Sequence, residues 1–182
     1  MYILNKTIKG VNMKKVITYV ISISLPLCVG VLSALLTMNN MNIYEQINTP
    51  PLSPPSILFP IVWTILYVLM GISSGIIYTK GISDNENSTT IMPTSITLKK
   101  QTENALLVYF ISLVLNFIWS ITFFNLRKFL FAFVILVALL VTIILSISKY
   151  YKINKLASIL QLPYLIWVTF AGYLNIAIYF LN

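Results

Sequence analysis

The chain has 182 residues, 58% of them apolar and 9% charged, with a formal net charge of +8 and a mean hydropathy of +0.89. Soluble domains carry about 25% charged residues, so this composition excludes an ordinary soluble enzyme and describes an integral membrane domain. There is no His and one Cys, Cys28, which removes the commonest general base, the commonest metal ligand and any intrachain disulfide. The positive charge lies in ends and loops, where it speaks for topology and anionic lipid headgroups and against nucleic acid as a partner.

Residues 1–15 form a basic tail with Lys6, Lys9, Lys14 and Lys15. A membrane span needs about 20 apolar residues, and the first qualifying segment is Val16 to Thr37. Its apolar run is too long for a signal-peptide core and no small-residue cleavage site follows, so a retained helix is expected. The connection over residues 38–56 is rich in Asn and Pro; Pro50, Pro51, Pro54 and Pro55 stiffen its end, since each fixes φ and removes a donor. The second span is Ile57 to Thr79. Residues 80–104 are polar and poor in aromatics, and disorder is expected there. The third span, Ala105 to Asn125, joins the fourth, Phe129 to Ile147, through Leu126 to Lys128, which forces the two to be antiparallel neighbours. The fifth is Leu156 to Phe180. None of the five holds Lys, Arg, Asp or Glu. Residues 16–182 thus read as one all-α domain, a five-transmembrane-helix bundle. With the N-terminus inside, ten basic residues fall inside and two, Arg127 and Lys128, outside. The positive-inside rule then predicts a cytoplasmic N-terminus, with a bacterial plasma membrane as the expected location.

Three helices carry polar and aromatic residues at spacings of three and four, which places them on one side of each helix. They are Pro60, Trp63, Tyr67, Met70, Gly71 and Ser74 on the second span; Ser112, Asn116, Trp119, Ser120 and Phe123 on the third; and Pro163, Tyr164, Trp167, Ala171, Leu174 and Asn175 on the fifth. All three Trp lie on these faces, and at ~1.5 Å per residue they fall in the outer half of the membrane, beneath the proline-rich connection. A walled site and plain aromatic packing both fit the pattern. Asn116 fits either a ligand contact or an interhelical hydrogen bond. Gly71 with Gly75, and Gly30 with Ala34, mark close helix packing.

The motifs Tyr44…Pro50…Pro54-Pro55…Phe59-Pro60-x-x-Trp63-Thr64-x-x-Tyr67-x-x-Met70-Gly71, then Leu115-Asn116-x-x-Trp119-Ser120-x-x-Phe123-Phe124, then Leu162-Pro163-Tyr164-x-x-Trp167-x-x-Phe170-Ala171-x-x-Leu174-Asn175 resemble the translocator protein family. These are the tryptophan-rich sensory proteins, or peripheral benzodiazepine receptors, and the resemblance spans residues 25–182. It implies a five-helix bundle with an aromatic pocket toward the first connection, tetrapyrrole ligands such as protoporphyrin IX, and homodimers. Some members are reported to promote light-dependent porphyrin breakdown. The ligand-binding residues it implies, with those added by the helix faces, are Tyr44, Trp63, Tyr67, Asn116, Trp119, Phe123, Trp167, Ala171 and Leu174. The chain departs from the family at Ile43 and Leu52, where members usually have Trp, and at Thr49, where they have Lys. The cap therefore lacks two aromatics and one cation.

The first functional reading is a membrane protein that binds or senses flat apolar ligands and moves them across the bilayer, with no cofactor of its own. The alternative is a light-dependent porphyrin-degrading enzyme with Trp63 and Trp167 as electron donors; no acid–base, nucleophile or metal constellation accompanies it, so no catalytic residues are assigned. A coupled transporter would bury ionisable groups within its spans, and none is present.

Overall fold

The computed structural model describes residues 2–40, 46–83 and 93–182. Its helices are α1 (Tyr2–Thr37), α2 (Leu58–Tyr78), α3 (Pro93–Ser120), α4 (Phe129–Ile153), α5 (Lys155–Ile159) and α6 (Leu162–Leu181). Five stretches are long and apolar enough to cross a bilayer: Met13–Asn40, Leu58–Gly81, Ile96–Asn125, Phe129–Ile153 and Lys155–Leu181. The helices close a ring in the order α1, α2, α6, α4, α3 and back to α1, with the short α5 between α2 and α4. As the three-residue connection requires, α3 and α4 pack side by side.

Several boundaries differ from the sequence expectation. Helix α1 runs through the basic tail, starting at Tyr2 instead of Val16. The polar segment 80–104 is not one loop: α2 ends in a wider π-type turn over Thr79–Ser83, and α3 starts at Pro93. Pro suits the first helical turn, whose N–H groups are unpaired anyway. The polar first turns of α3 are held because Thr102 and Ala105 are fully buried, Thr102 against Gly81. Helix α4 continues to Ile153, so Lys149 and Lys152 belong to its last turns.

The fifth span is broken. Asn154 caps α5 by accepting from the Ala157 N–H at 3.1 Å. Pro163 then stands at the start of α6 and has no N–H to offer the preceding turn. At the break, the Gln161 N–H turns to the Ser158 carbonyl at 3.1 Å, and the Ala157 carbonyl accepts instead from the Ser73 hydroxyl of α2 at 2.7 Å. The Gln161 side chain, 1% exposed, donates to the same Ser73 oxygen at 3.3 Å. Irregular backbone at membrane depth requires such partners.

α1 is attached to α2 through glycine. A Cβ on Gly71 would lie 2.5 Å from the Ile23 Cα and 2.8 Å from the Ser22 carbonyl; one on Gly75 would lie 2.8 Å from the Tyr19 ring. The G-x-x-x-G read from sequence is therefore the α1–α2 seam, where close backbone approach replaces hydrophobic sorting. Gly30 extends it by leaving room for the Tyr67 ring.

Candidate ligand-binding site

Phe59, Trp63 and Tyr67 stand at i, i+4 and i+8 of α2, so they form one column along the helix. The Trp63 ring lies 5.4 Å from Tyr67 at 31° and 6.2 Å from Trp119 of α3 at 35°. Trp119 lies 5.7 Å from Phe123 at 32°. Tyr67, Trp63, Trp119 and Phe123 thus make a row in which each ring is tilted by about a third of a right angle from the next. Tyr164 of α6 meets Trp63 edge-on, at 6.1 Å and 67°.

The end of α3 explains how two adjacent Phe residues reach the same Trp. Ile121–Asn125 form a π-type turn, closed by the Leu126 N–H bonding the Ile121 carbonyl at 3.1 Å. In this wider turn Phe123 and Phe124 both contact Trp119, at 5.7 and 6.3 Å. Such turns cluster at functional sites because they re-aim side chains. Arg127 follows in the left-handed region, φ 53°, and reverses the chain into α4.

A cleft of about 200 Å³ opens between this aromatic wall and α1. On the α2 and α3 side stand Phe59, Trp63, Tyr67, Trp119, Ser120 and Phe124; on the α1 side stand Leu27, Gly30, Ser33, Ala34 and Thr37. Tyr67 is fixed by Asn116, whose Nδ2 donates to the phenol oxygen at 2.9 Å. The phenol hydrogen remains for an acceptor in the cleft. Ser33 Oγ is buried without a protein partner. Behind the wall a cavity of about 20 Å³ lies among Phe59, Trp119, Phe123, Phe124, Ala171, Leu174, Asn175 and Ile178. Trp119 Nε1 and both side-chain polar atoms of Asn175 are buried there without a protein partner.

The structure thus sorts the residues expected to bind ligand. Trp63, Tyr67 and Trp119 line the cleft; Asn116 sits behind Tyr67 and orients it. Phe123, Ala171 and Leu174 line the small cavity, on the far side of Trp119. Trp167 lines neither of the two: its ring faces Phe59 at 6.0 Å and Phe170 at 5.7 Å, and its Nε1 is buried without a partner. Tyr44 lies outside the described residues. The α1 wall was missed as a ligand surface. Its signal was present in the i, i+4 pairs Gly30–Ala34 and Ser33–Thr37, but small residues read equally as packing. No lining residue of the cleft is Asp, Glu, Lys or Arg, so its chemistry is ring stacking plus hydroxyl hydrogen bonds.

Comparison with known proteins agrees with this architecture. Residues 22–181 match the TspO/MBR family. The chain is similar to the tryptophan-rich protein TspO of Chlorobaculum tepidum, 33% identical over 93% of this chain and 98% of that protein. It is similar to the tryptophan-rich protein TspO of Archaeoglobus fulgidus, 36% identical over 92% and 98%. It also resembles the protein CrtK of Rhodobacter capsulatus, 28% identical over 76% and 78%.

Proposed function

The chain belongs to the TspO/MBR family of membrane proteins, and from that premise and the aromatic cleft we propose that it binds and senses flat apolar ligands, with tetrapyrroles such as protoporphyrin IX as the ligand class. The observation that carries the reading is the ring row Tyr67–Trp63–Trp119, with neighbouring centroids 5.4 and 6.2 Å apart and shallow tilts. Rings set this way offer area and quadrupole contacts to a flat π-system at little entropic cost. The cleft is smaller than the ~300–1,000 Å³ of pockets that enclose drug-sized ligands. It therefore takes one edge of a macrocycle, with the rest in the opening toward α1. Only 17% of the α1 apolar window is buried, so α1 is the helix that yields as the ligand enters. Tyr67 orients a polar edge. The lysine distribution supports a cytoplasmic N-terminus in a bacterial plasma membrane.

The test is a titration of the purified protein with protoporphyrin IX in detergent and in lipid, in the dark, reading tryptophan quenching and the porphyrin's own absorption. Saturable binding that weakens in Trp63→Phe is expected. Quenching that never saturates and follows detergent partitioning overturns the proposal. Consumption of porphyrin in light that requires oxygen and Trp63 would move the reading to an enzyme.

A further inference from the structure

Beside the glycine seam, α1 leaves a second opening. A groove of about 260 Å³ runs between α1, α2 and α3, walled by Ile21 and Leu25 of α1 and by Leu106, Tyr109 and Phe110 of α3. Ser22, Ser74, Tyr78 and Tyr109 carry its hydroxyls. Ile21 is 60% exposed, Phe110 52% and Tyr78 39%, so within a membrane span the groove faces acyl chains.

Its position relative to charge is specific. Lys14 and Lys15 precede Ile21 on α1 by six or seven residues. Lys99 and Lys100 precede Leu106 on α3 by the same interval, and Lys80 follows Ser74 on α2 by six. At 1.5 Å per residue each lysine pair, and Lys80, stands roughly 9–10 Å along the axis from the groove. With the reach of their own side chains, lysines so placed stand at headgroup level when the groove lies among acyl chains. Among the described residues at this end of α1, α2 and α3, Glu103 is the one acidic side chain against these five lysines. An apolar slot with hydroxyls at its sides and lysines at headgroup level matches an anionic glycerophospholipid.

We propose that this groove is a binding site for one anionic glycerophospholipid: an acyl chain lies between Ile21, Leu25, Leu106 and Phe110, its ester region meets Ser22 and Tyr78, and its phosphate is held by Lys80, Lys99 and Lys100. A zwitterionic lipid fits the slot equally but gains nothing net from the lysines. Free phosphate gains the lysines but not the slot.

Phe110→Trp puts a reporter in the groove wall at an already exposed aromatic position. The protein is reconstituted with dibrominated phosphatidylglycerol or dibrominated phosphatidylcholine at matched mole fractions, against the wild type for background. Quenching of the added Trp should half-saturate at a several-fold lower fraction of phosphatidylglycerol. Lys80→Gln with Lys99→Gln and Lys100→Gln should remove that preference, since the lysines are what distinguish the two lipids. Ser22→Phe, which fills the slot, should remove quenching by either lipid at the reporter beyond the level of bulk contact. Inorganic phosphate should not compete. Equal quenching by both lipids, or a preference that survives the triple lysine variant, overturns the site. Competition by phosphate with no effect of Ser22→Phe would reduce it to surface charge and overturn it as well. Should Ser22→Phe fail to fold, the lysine variant, altered only at exposed positions, still decides.

Discussion

The aromatic cleft and the lysine-end groove share a wall, α1, and differ in what the opposite wall offers. Across the cleft stand Phe59, Trp63, Tyr67 and Trp119; across the groove stand Leu106, Tyr109 and Phe110. The seam between them is where Gly71 and Gly75 bring α2 against the α1 backbone. The groove opens beside that contact, with Ser22 and Ser74 in its lining, and the cleft opens further along α1, between Leu27 and Thr37. The side chains facing each opening decide what fits: a row of tilted aromatic rings for a flat π-system, a mixed aliphatic and aromatic slot with lysines further along the axis for a chain bearing a headgroup. The comparison holds only if the seam is rigid and each wall acts alone.

Breaking the seam should have the largest effect. In Gly71→Leu the added atoms meet the Ile23 Cα and the Ser22 carbonyl, which are backbone and cannot rotate away. Overpacking of this kind costs about 1–3 kcal/mol or more. Thermal unfolding in detergent should shift down markedly, and porphyrin and anionic lipid binding should fall together. Loss of one with the other intact would mean the two openings do not depend on this seam together.

The cleft alone is addressed at the Asn116–Tyr67 bond. Tyr67→Phe leaves the amide of Asn116, 1% exposed, without its partner, at a cost of about 1–2 kcal/mol. Asn116→Leu removes the amide itself and should cost less. Both should weaken porphyrin binding, because the phenol is lost or freed. A reversed order of stability in the melting curves would show that Asn116 supports the bundle by packing and not through Tyr67.

The tryptophans sharpen the contrast at the cleft end of the bundle. Trp63→Phe and Trp119→Phe should each weaken porphyrin binding by about 1 kcal/mol, roughly fivefold, the worth of one aromatic contact. Trp167→Phe should leave it within twofold, since Trp167 packs on Phe59 and Phe170 outside the cleft. An equal loss at Trp167 would place the ligand between α2 and α6 instead.

The smallest effect is expected at the cap. Tyr173 donates to the Pro51 carbonyl at 3.0 Å, and Asn182 bonds Asn48 through both its amide atoms. These bonds are exposed, so Tyr173→Phe should change stability by about 0.5 kcal/mol or less. It should speed porphyrin dissociation if the connection closes over the cleft. An unchanged dissociation rate would leave α1 as the sole moving wall.

How much of this was legible in the chain depends on whether the property is local. The number of spans, the membrane setting and the α3–α4 pairing follow from apolar run length and a three-residue connection, and the structure has them. The start of α3 at Pro93 was hidden because a few buried positions such as Thr102 hold a polar stretch in a helix. The break at Gln161 was hidden because Ser73, 88 residues away, supplies its hydrogen bond.

Residue type by itself determined that the three Trp lie toward one end of the spans and most of the lysines toward the other, since both can be counted along each helix whatever its neighbours. Only the tertiary structure decided which aromatics face one another. In a bilayer the lipid-facing and protein-facing sides of a helix are both apolar, so periodicity does not label the inward face as it does in water. Helix rotation and register are set by backbone contacts such as Gly71 against Ile23 and by the π-type turn at Ile121–Asn125. Those contacts put Trp63 and Trp119 on the cleft and Trp167 outside it, and they made α1, the helix with no aromatic motif, the wall of both openings.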